Sequence, residues 1–277
     1  MTLGIVAILC VRNESLHIGP AIEGFVSQSI DVVLIDHDST DDTLQRAEAF
    51  RGRGLIGIER LEWTGSFSLS EQLRAKQRVI GSLETDWLIH ADADEWLQAP
   101  ARFEDLRHGI ETADGEGFNC INFDEFVFLP LAGESFEERN YRSQMQRYYF
   151  FAPKPQRRMR AWRKDAEMRN LESAGDTLQG AEIRVFPENF VLRHYIVLSA
   201  AHAAGKYLNR PFSNEDLERG WHRSRRQISP ESLSLPGAQD LLRLDTVESR
   251  MFDRSQPQRH HFWDWDRKCL AANLKKK

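Results

Sequence analysis

Within its first hundred residues the chain alternates short apolar runs with stretches of helical periodicity, and that alternation leaves few folds open. The runs at 4–11, 31–35 and 87–91 are too short for helices and too uniformly apolar for half-exposed strands, so they read as buried strands. A fourth run, 55–63, has the same length but is less uniform. Between them, 15–28 spaces Leu16, Ile18, Ile22, Phe25 and Val26 as a helix does, with Gly19-Pro20 restricting where it starts. Residues 40–53 read as a helix entered through an Asp/Thr-rich cap, and 69–83 places Leu69, Leu73, Val79, Ile80 and Leu83 on one helical stripe. The order β-α-β-α-β-α-β predicts an α/β fold, a mostly parallel sheet with helices on its faces.

Three of the strands stop in polar clusters. The run at 4–11 ends in Arg12-Asn13-Glu14-Ser15, that at 31–35 in Asp36-His37-Asp38-Ser39-Thr40-Asp41-Asp42-Thr43, and that at 87–91 in Asp92-Ala93-Asp94-Glu95-Trp96. In an open parallel sheet these clusters gather along one edge, where such sheets bind ligands. Three carboxylates within four residues repel one another unless a cation or a proton relieves them. Hard divalent ions prefer oxygen ligands and commonly bridge one or two carboxylates to substrate phosphates, so Asp92 and Asp94 point to a metal–diphosphate site. A capped loop after a strand is the plainer alternative for the same residues.

These motifs, in this order and at this spacing, resemble family-2 glycosyltransferases with the GT-A (Rossmann-like) nucleotide-diphospho-sugar transferase fold. Val11-Arg12-Asn13-Glu14 resembles their opening motif. The stretch from Leu34 to Thr43 resembles their second, with His37 standing for the usual second acid and Asp38 for the usual Gly. His90-Ala91-Asp92-Ala93-Asp94-Glu95-Trp96 resembles the metal-binding Asp-x-Asp motif in its Asp-x-Asp-Glu form. The likeness covers residues 3–130 well and continues weakly to about 210. It implies a nucleotide-diphosphate-sugar donor, a UDP-sugar or another, and a hydroxyl-bearing sugar or glycan acceptor. It also implies Mn²⁺ or Mg²⁺ held by Asp92 and Asp94, acting as Lewis acid on the leaving diphosphate. Base and ribose contacts carry over to Arg12, Asn13, Glu14 and Asp36, and phosphate contacts to Asp92 and to Arg74, whose other reading is an ordinary solvated helix arginine. Inverting members deprotonate the acceptor with a late Asp or Glu, which here is Asp176 or Glu172 in Asn170-Leu171-Glu172-Ser173-Ala174-Gly175-Asp176. His194, closing the run Val191-Leu192-Arg193-His194, stands where several relatives of this fold place a third metal ligand; the alternative is a structural histidine.

With 277 residues, the chain has room for a large domain with an appendage, and the expected division is a glycosyltransferase domain at 1–210 (donor side 1–130, acceptor side 131–210) and an α-rich extension at 211–277. A net charge of −5 argues against a nucleic-acid partner. Cys10, Cys120 and Cys269 are far apart and lack metal-ligand spacing, which fits a reducing compartment, with Cys10 buried in the first strand. No run approaches the roughly 20 apolar residues that span a bilayer, and no basic region precedes the first apolar run, so the expected location is cytoplasmic. The second half reads differently. Residues 118–129 are aromatic-rich and add one or two strands, 134–146 read as a charged loop, and 198–208 as a helix. The basic stretch at 156–164 suits either an anionic acceptor, a peripheral membrane surface or a solvated amphipathic element. His260-His261 are poor joint chelators from a strand, and Lys275-Lys276-Lys277 reads as a frayed end.

Two other functions fit part of the pattern. Val33-Leu34-Ile35-Asp36-His37-Asp38-Ser39-Thr40 also resembles the Asp-x-Asp-x-Thr of haloacid-dehalogenase-type phosphatases, with Asp36 as nucleophile and Asp38 as acid/base, although a strand and a helix precede it here. A catalytically inactive nucleotide-sugar or carbohydrate-binding GT-A module is the third.

Overall fold

The computed structural model describes residues 2–137, 140–154, 158–164 and 169–265. Cys269 and Lys275-Lys276-Lys277 lie outside these residues. The chain forms two compact units, the first from 1–124 and 157–192, the second from 125–156 and 193–277. A boundary at residue 210 therefore falls inside the second unit.

In the first unit, β1 (Ile5–Val11), α1 (Ile18–Val26), β2 (Asp31–Asp36), α2 (Thr43–Glu48), β3 (Leu55–Arg60), α3 (Leu69–Ser82) and β4 (Trp87–Ala91) follow in the order the periodicity predicts. β1 pairs in parallel with both β2 and β4, and β2 pairs in parallel with β3. After β5 (Glu95–Gln98) and α4 (Leu106–Gly115) come β6 (Cys120–Phe128) and β8 (Met159–Arg163), antiparallel additions beyond β4. β7 (Arg147–Phe151) lies between those two in the chain and belongs to the second unit.

Strand alternation explains why both faces are covered. Ile5, Ala7, Leu9 and Val11 of β1 join Ile18, Ile22 and Phe25 of α1 and Ile110 of α4 in one core. Val6, Ile8 and Cys10 join Ala75 and Val79 of α3 in the other. Residues one apart on a strand face opposite sides, so a run apolar at every position needs two helical layers. α2 is shorter than the 40–53 expected. After Glu48 the chain turns, with the Leu55 N–H donating back to the Phe50 carbonyl at 3.3 Å. Gly54 then sits at φ +98° against Val26, where an added Cβ would come within 2.5 Å of that side chain.

The second unit is built around β7, which pairs antiparallel with the C-terminal half of β6. β9 (Phe190–His194) enters it at Arg193, followed by α5 (Ala200–Tyr207) and α6 (Asn214–Glu218). Two-residue strands β10 (Leu242–Arg243) and β11 (Pro257–Gln258) both pair with β7. The expected α-rich extension is thus different: among the described residues beyond 210, regular structure is one five-residue α-helix, short 3-10 turns and these two strand fragments. His261 is structural, with its Nδ1 2.8 Å from the Tyr149 hydroxyl and its ring stacked on Phe151 at 4.0 Å. Buried Arg193 donates to the Val247 and Ser249 carbonyls at 2.7 Å each and so pins that irregular stretch. Among the described residues no helix is long and apolar enough to cross a membrane.

Candidate functional site

The parallel strands lie in the order β3-β2-β1-β4. The chain winds outward from β1 to β3, then returns through α3 to the other side of β1. Such a reversal opens a crevice at the C-terminal ends of β1 and β4, the place where open α/β sheets bind ligands. The polar clusters that follow β1 and β4 leave the sheet at those two ends, and the cluster that follows β2 leaves beside them.

The first two clusters are knitted into one platform. The Asn13 N–H donates to Ser39 Oγ at 3.0 Å, the Thr40 N–H to Asn13 Oδ1 at 2.8 Å, and the Glu14 N–H to Thr43 Oγ1 at 2.8 Å. Arg12 donates to the carbonyls of His37, at 2.8 Å, and Asp38, while its guanidinium lies 3.9 Å from the centre of the Trp63 ring. Asp36 is buried and accepts the Ser39 N–H at 3.3 Å. Asn13 and Asp38 sit at φ +55° and +56°, the left-handed region that Asn and Asp tolerate better than other side chains. That conformation accounts for Asp38 where the resembling motif has Gly. His37 is buried, with Nδ1 3.1 Å from Gln72 Nε2 of α3 and its ring edge-on to Trp63, an interior role rather than a second surface acid.

At the end of β4 the three acids separate in role. Asp92 to Glu95 is a tight turn, with the Glu95 N–H donating to the Asp92 carbonyl at 3.1 Å. The Glu95 side chain, only 1% exposed, accepts the Asp92 N–H at 3.0 Å on one oxygen and Arg160 Nη2 at 2.6 Å on the other. Glu95 therefore braces the turn. Asp94 is buried, and Asp92 keeps a half-exposed carboxylate. Lys76, on the inner face of α3, brings its ammonium 3.9 Å from Asp92 Oδ1. Burial pushes its pKa down, against the pull of Asp92. The same crowding reaches Cys10 at the end of β1: burial pushes its thiol up to about 12, Lys76 pulls it back, and Asp92 and Asp36 add to the rise. This thiol stays protonated.

Residues 170–176 pack on β4 immediately before the acidic turn. Asn170 Nδ2 lies 2.8 Å from His90 Nδ1, and Gly175, at φ +84°, rests against the His90 ring so closely that a Cβ would come within 2.7 Å of it. Burial first, then Lys76 and Arg160, hold the His90 pKa well below its ordinary value, so the ring is neutral. The Asp176 carbonyl accepts the Met159 N–H at 2.9 Å, its carboxylate pairs with Arg158, and its charge is felt at Arg160 together with those of Glu95 and Asp92. Glu172 is exposed on the same loop. The basic stretch is largely spent inside the unit: Arg158 pairs with Asp176, Arg160 with Glu95, and Arg163 with Asp114 at 2.6 Å. A wholly solvated face is thereby corrected for these three cations.

The structure thus brings Arg12, Asn13, Glu14 and Asp36 into one platform, and sets Asp92 and Asp176 around Lys76, Arg160 and His90, with Asp94 buried on the same turn as Asp92. Arg74 lies on the exposed face of α3. His194 belongs to the second unit, where its Nδ1 is 2.7 Å from Glu125 Oε1. Among the described residues no three His, Cys, Asp or Glu side chains form a ready metal cage. Lys76 was not singled out from the sequence, yet it interrupts the apolar stripe between Leu73 and Val79, and a lysine in such a position is a signal. For Arg160 and Asn170 the sequence marks a basic stretch and a turn but not their contacts, since their partners lie 65 and 80 residues away.

No family model matches the chain. It is 31% identical over 97 residues to an uncharacterized glycosyltransferase of Rickettsia conorii, a match spanning 35% of this chain and 31% of that protein. The likeness thus covers about a third of the relative's length. Among solved structures, S. aureus TarS is 14% identical over 77% of this chain and 41% of its own, with a TM-score of 0.40. TarS 1–349 in complex with UDP is 12% identical over 86% and 77%, at 0.38. M. tuberculosis glucosyl-3-phosphoglycerate synthase is 22% identical over 33% and 35%, at 0.25.

Proposed function

We propose that this chain is a glycosyltransferase of the family-2 kind, moving a sugar from a nucleotide-diphosphate-sugar donor to a hydroxyl acceptor with inversion. The observation that carries the reading is the convergence at the sheet's reversal point. The Arg12–Glu14 and Asp36–Thr43 loops form a polar platform on one side, and Asp92 with Lys76 stands on the other. The partial match to a curated protein named as a glycosyltransferase agrees with it. In this reading Asn13, Glu14 and Asp36 receive the nucleoside, with Arg12 holding their loops together, and Lys76 faces the diphosphate. Arg74, two residues earlier and on the opposite, exposed face of the same helix, is a phosphate contact by the family resemblance alone.

The donor atoms suit a hard divalent ion. Asp92 and Asp94 present carboxylates on one tight turn, and an ion of the Mg²⁺ or Mn²⁺ type takes one or two such groups and completes its shell with substrate phosphates and water. When bound, it would supply Lewis-acid stabilisation of the departing diphosphate. His194 pairs through Nδ1 with Glu125 inside the second unit, the carboxylate–imidazole pairing that metal-holding histidines commonly show, and its ligand role rests on the family resemblance alone. Asp176 is the proposed base, taking the acceptor's proton as its oxygen attacks the anomeric carbon, with Arg158 steadying the carboxylate; Glu172 is the alternative. The phosphatase reading has less behind it: the Asp38 carboxylate is paired with Arg60 at 2.6 Å.

Thermal unfolding with a panel of nucleoside diphosphates, each with and without Mn²⁺ or Mg²⁺, tests the reading. A ligand at a hundred times its dissociation constant stabilises the native state by about 2.7 kcal/mol. One diphosphate should stabilise the protein only with metal, and Asp92→Asn should remove that gain. Asp176→Asn should keep the gain but lose turnover of the matching nucleotide-sugar. No shift with any nucleotide would overturn the proposal.

A further inference from the structure

We infer that a cleft in the second unit is a binding site for an oxyanion, the phosphate or carboxylate group of a small ligand. The inference stands on that unit's own geometry and does not depend on the transferase reading. The cleft measures about 180 Å³, and Glu134, Phe136, Gln144, Gln146, Arg147 and Arg243 are among the residues that line it. That is small beside the roughly 300–1,000 Å³ of pockets that enclose whole organic ligands, and it suits one charged end-group.

Its charge arrangement is the informative part. Arg147 opens β7 and Arg243 closes β10, and the two stand directly opposite each other in the antiparallel pair. The Leu244 N–H donates to the Gln146 carbonyl at 2.9 Å, which closes the next pair along. Arg147 and Arg243 therefore form a pair without backbone bonds between them, the kind whose side chains stand closest. Like charges placed directly opposite destabilise a sheet. Here neither guanidinium has an ion-pair partner among the described residues. Arg243 donates from Nε at 3.1 Å and Nη2 at 2.9 Å to Gln146 Oε1, which fixes its plane without neutralising it. Glu134 is the carboxylate on the described lining, and it accepts the Leu131 N–H at 2.8 Å. The cleft thus carries an excess of one positive charge in a chain whose net charge is −5. Two neighbouring guanidiniums, one already oriented, match an oxyanion through charge-assisted hydrogen bonds, and such an ion removes their repulsion.

Calorimetric titration of the full chain tests this, in chloride buffer stripped of metal over a chelating resin and free of phosphate, sulfate and carboxylates. Inorganic phosphate and glucuronate serve as separate probes, so the result tells a phosphate from a carboxylate ligand. At least one should bind one-to-one. Arg147→Gln and Arg243→Gln should each weaken that binding about tenfold or more, and Glu134→Gln should strengthen it. Circular dichroism and unfolding temperature confirm that each variant is folded, and Arg243, exposed on a two-residue strand, supplies a usable variant should Arg147→Gln misfold. Failure of both anions to bind at millimolar concentration, or binding unaltered in the folded arginine variants, would overturn the inference.

Discussion

Glu95 and Lys76 define what single side chains do at the acidic turn. Glu95 stands in the sequence as the third of three clustered acids, beside Asp92 and Asp94, but Arg160 holds it in the interior at 2.6 Å. Removing one partner of a buried pair strands the other charge, at a cost of about 3–5 kcal/mol. Arg160→Met should therefore destabilise the protein by about that much, and adding Glu95→Gln should recover a large part of it. Urea unfolding of the two variants and the wild type measures both; a loss under about 1 kcal/mol would mean that Arg160 does not brace Glu95. The Asp-x-Asp acids were legible because their spacing alone implies mutual repulsion. Arg160 was legible only as one cation in a basic stretch, because what distinguishes it from Arg163 is a partner 65 residues earlier.

Elements were more legible than the contacts between them. The parallel strands and α3 lie where the periodicity places them, since a doubly covered strand must be apolar throughout and α3 has a readable start, with Ser68 Oγ accepting the Glu71 N–H at 3.3 Å. β10 and β11 were not legible, because two residues carry no periodicity and each is a strand only through β7. The 170–176 loop is an intermediate case: its Asn and Gly mark a turn, but not that the turn seats on His90. Gly175 makes the seating possible, combining φ +84° with contact against the imidazole. Gly175→Ala imposes a left-handed alanine, about 1–2 kcal/mol, and drives a Cβ into His90. The variant should lose at least that much stability and, with Asp176 displaced, turnover of the nucleotide-sugar should fall further than nucleotide binding. Thermal unfolding and steady-state kinetics read the two effects, and unchanged turnover in a destabilised variant would separate the loop's packing from the proposed base.

For the whole molecule, stability depends on pH through histidines that each unit keeps neutral. His90 in the first unit is held well below its ordinary pKa, and burial, followed by Arg225 and Arg210, lowers His222 in the second to about 3. An unfolded histidine takes up its proton near pH 6.5, so below that point the unfolded chain binds protons that the folded chain refuses. The stabilisation is complete above about pH 6.5 and is lost as pH falls toward the folded values. Between pH 7.5 and 5.5, before most carboxylates titrate, His222 with its folded value of about 3 should remove about 1.4 kcal/mol, and His90 acts in the same direction. His222 sits at φ +58°, which asparagine tolerates, so His222→Asn removes one titrating group with little backbone strain. Its unfolding free energy, followed by denaturant titration across that window, should fall less steeply than that of the wild type, and the slope that remains includes the share of His90. Parallel slopes in the two proteins would show that His222 accepts its proton in the folded state, with Asp216, 3.9 Å from its Nε2, as the group that then stabilises the charge.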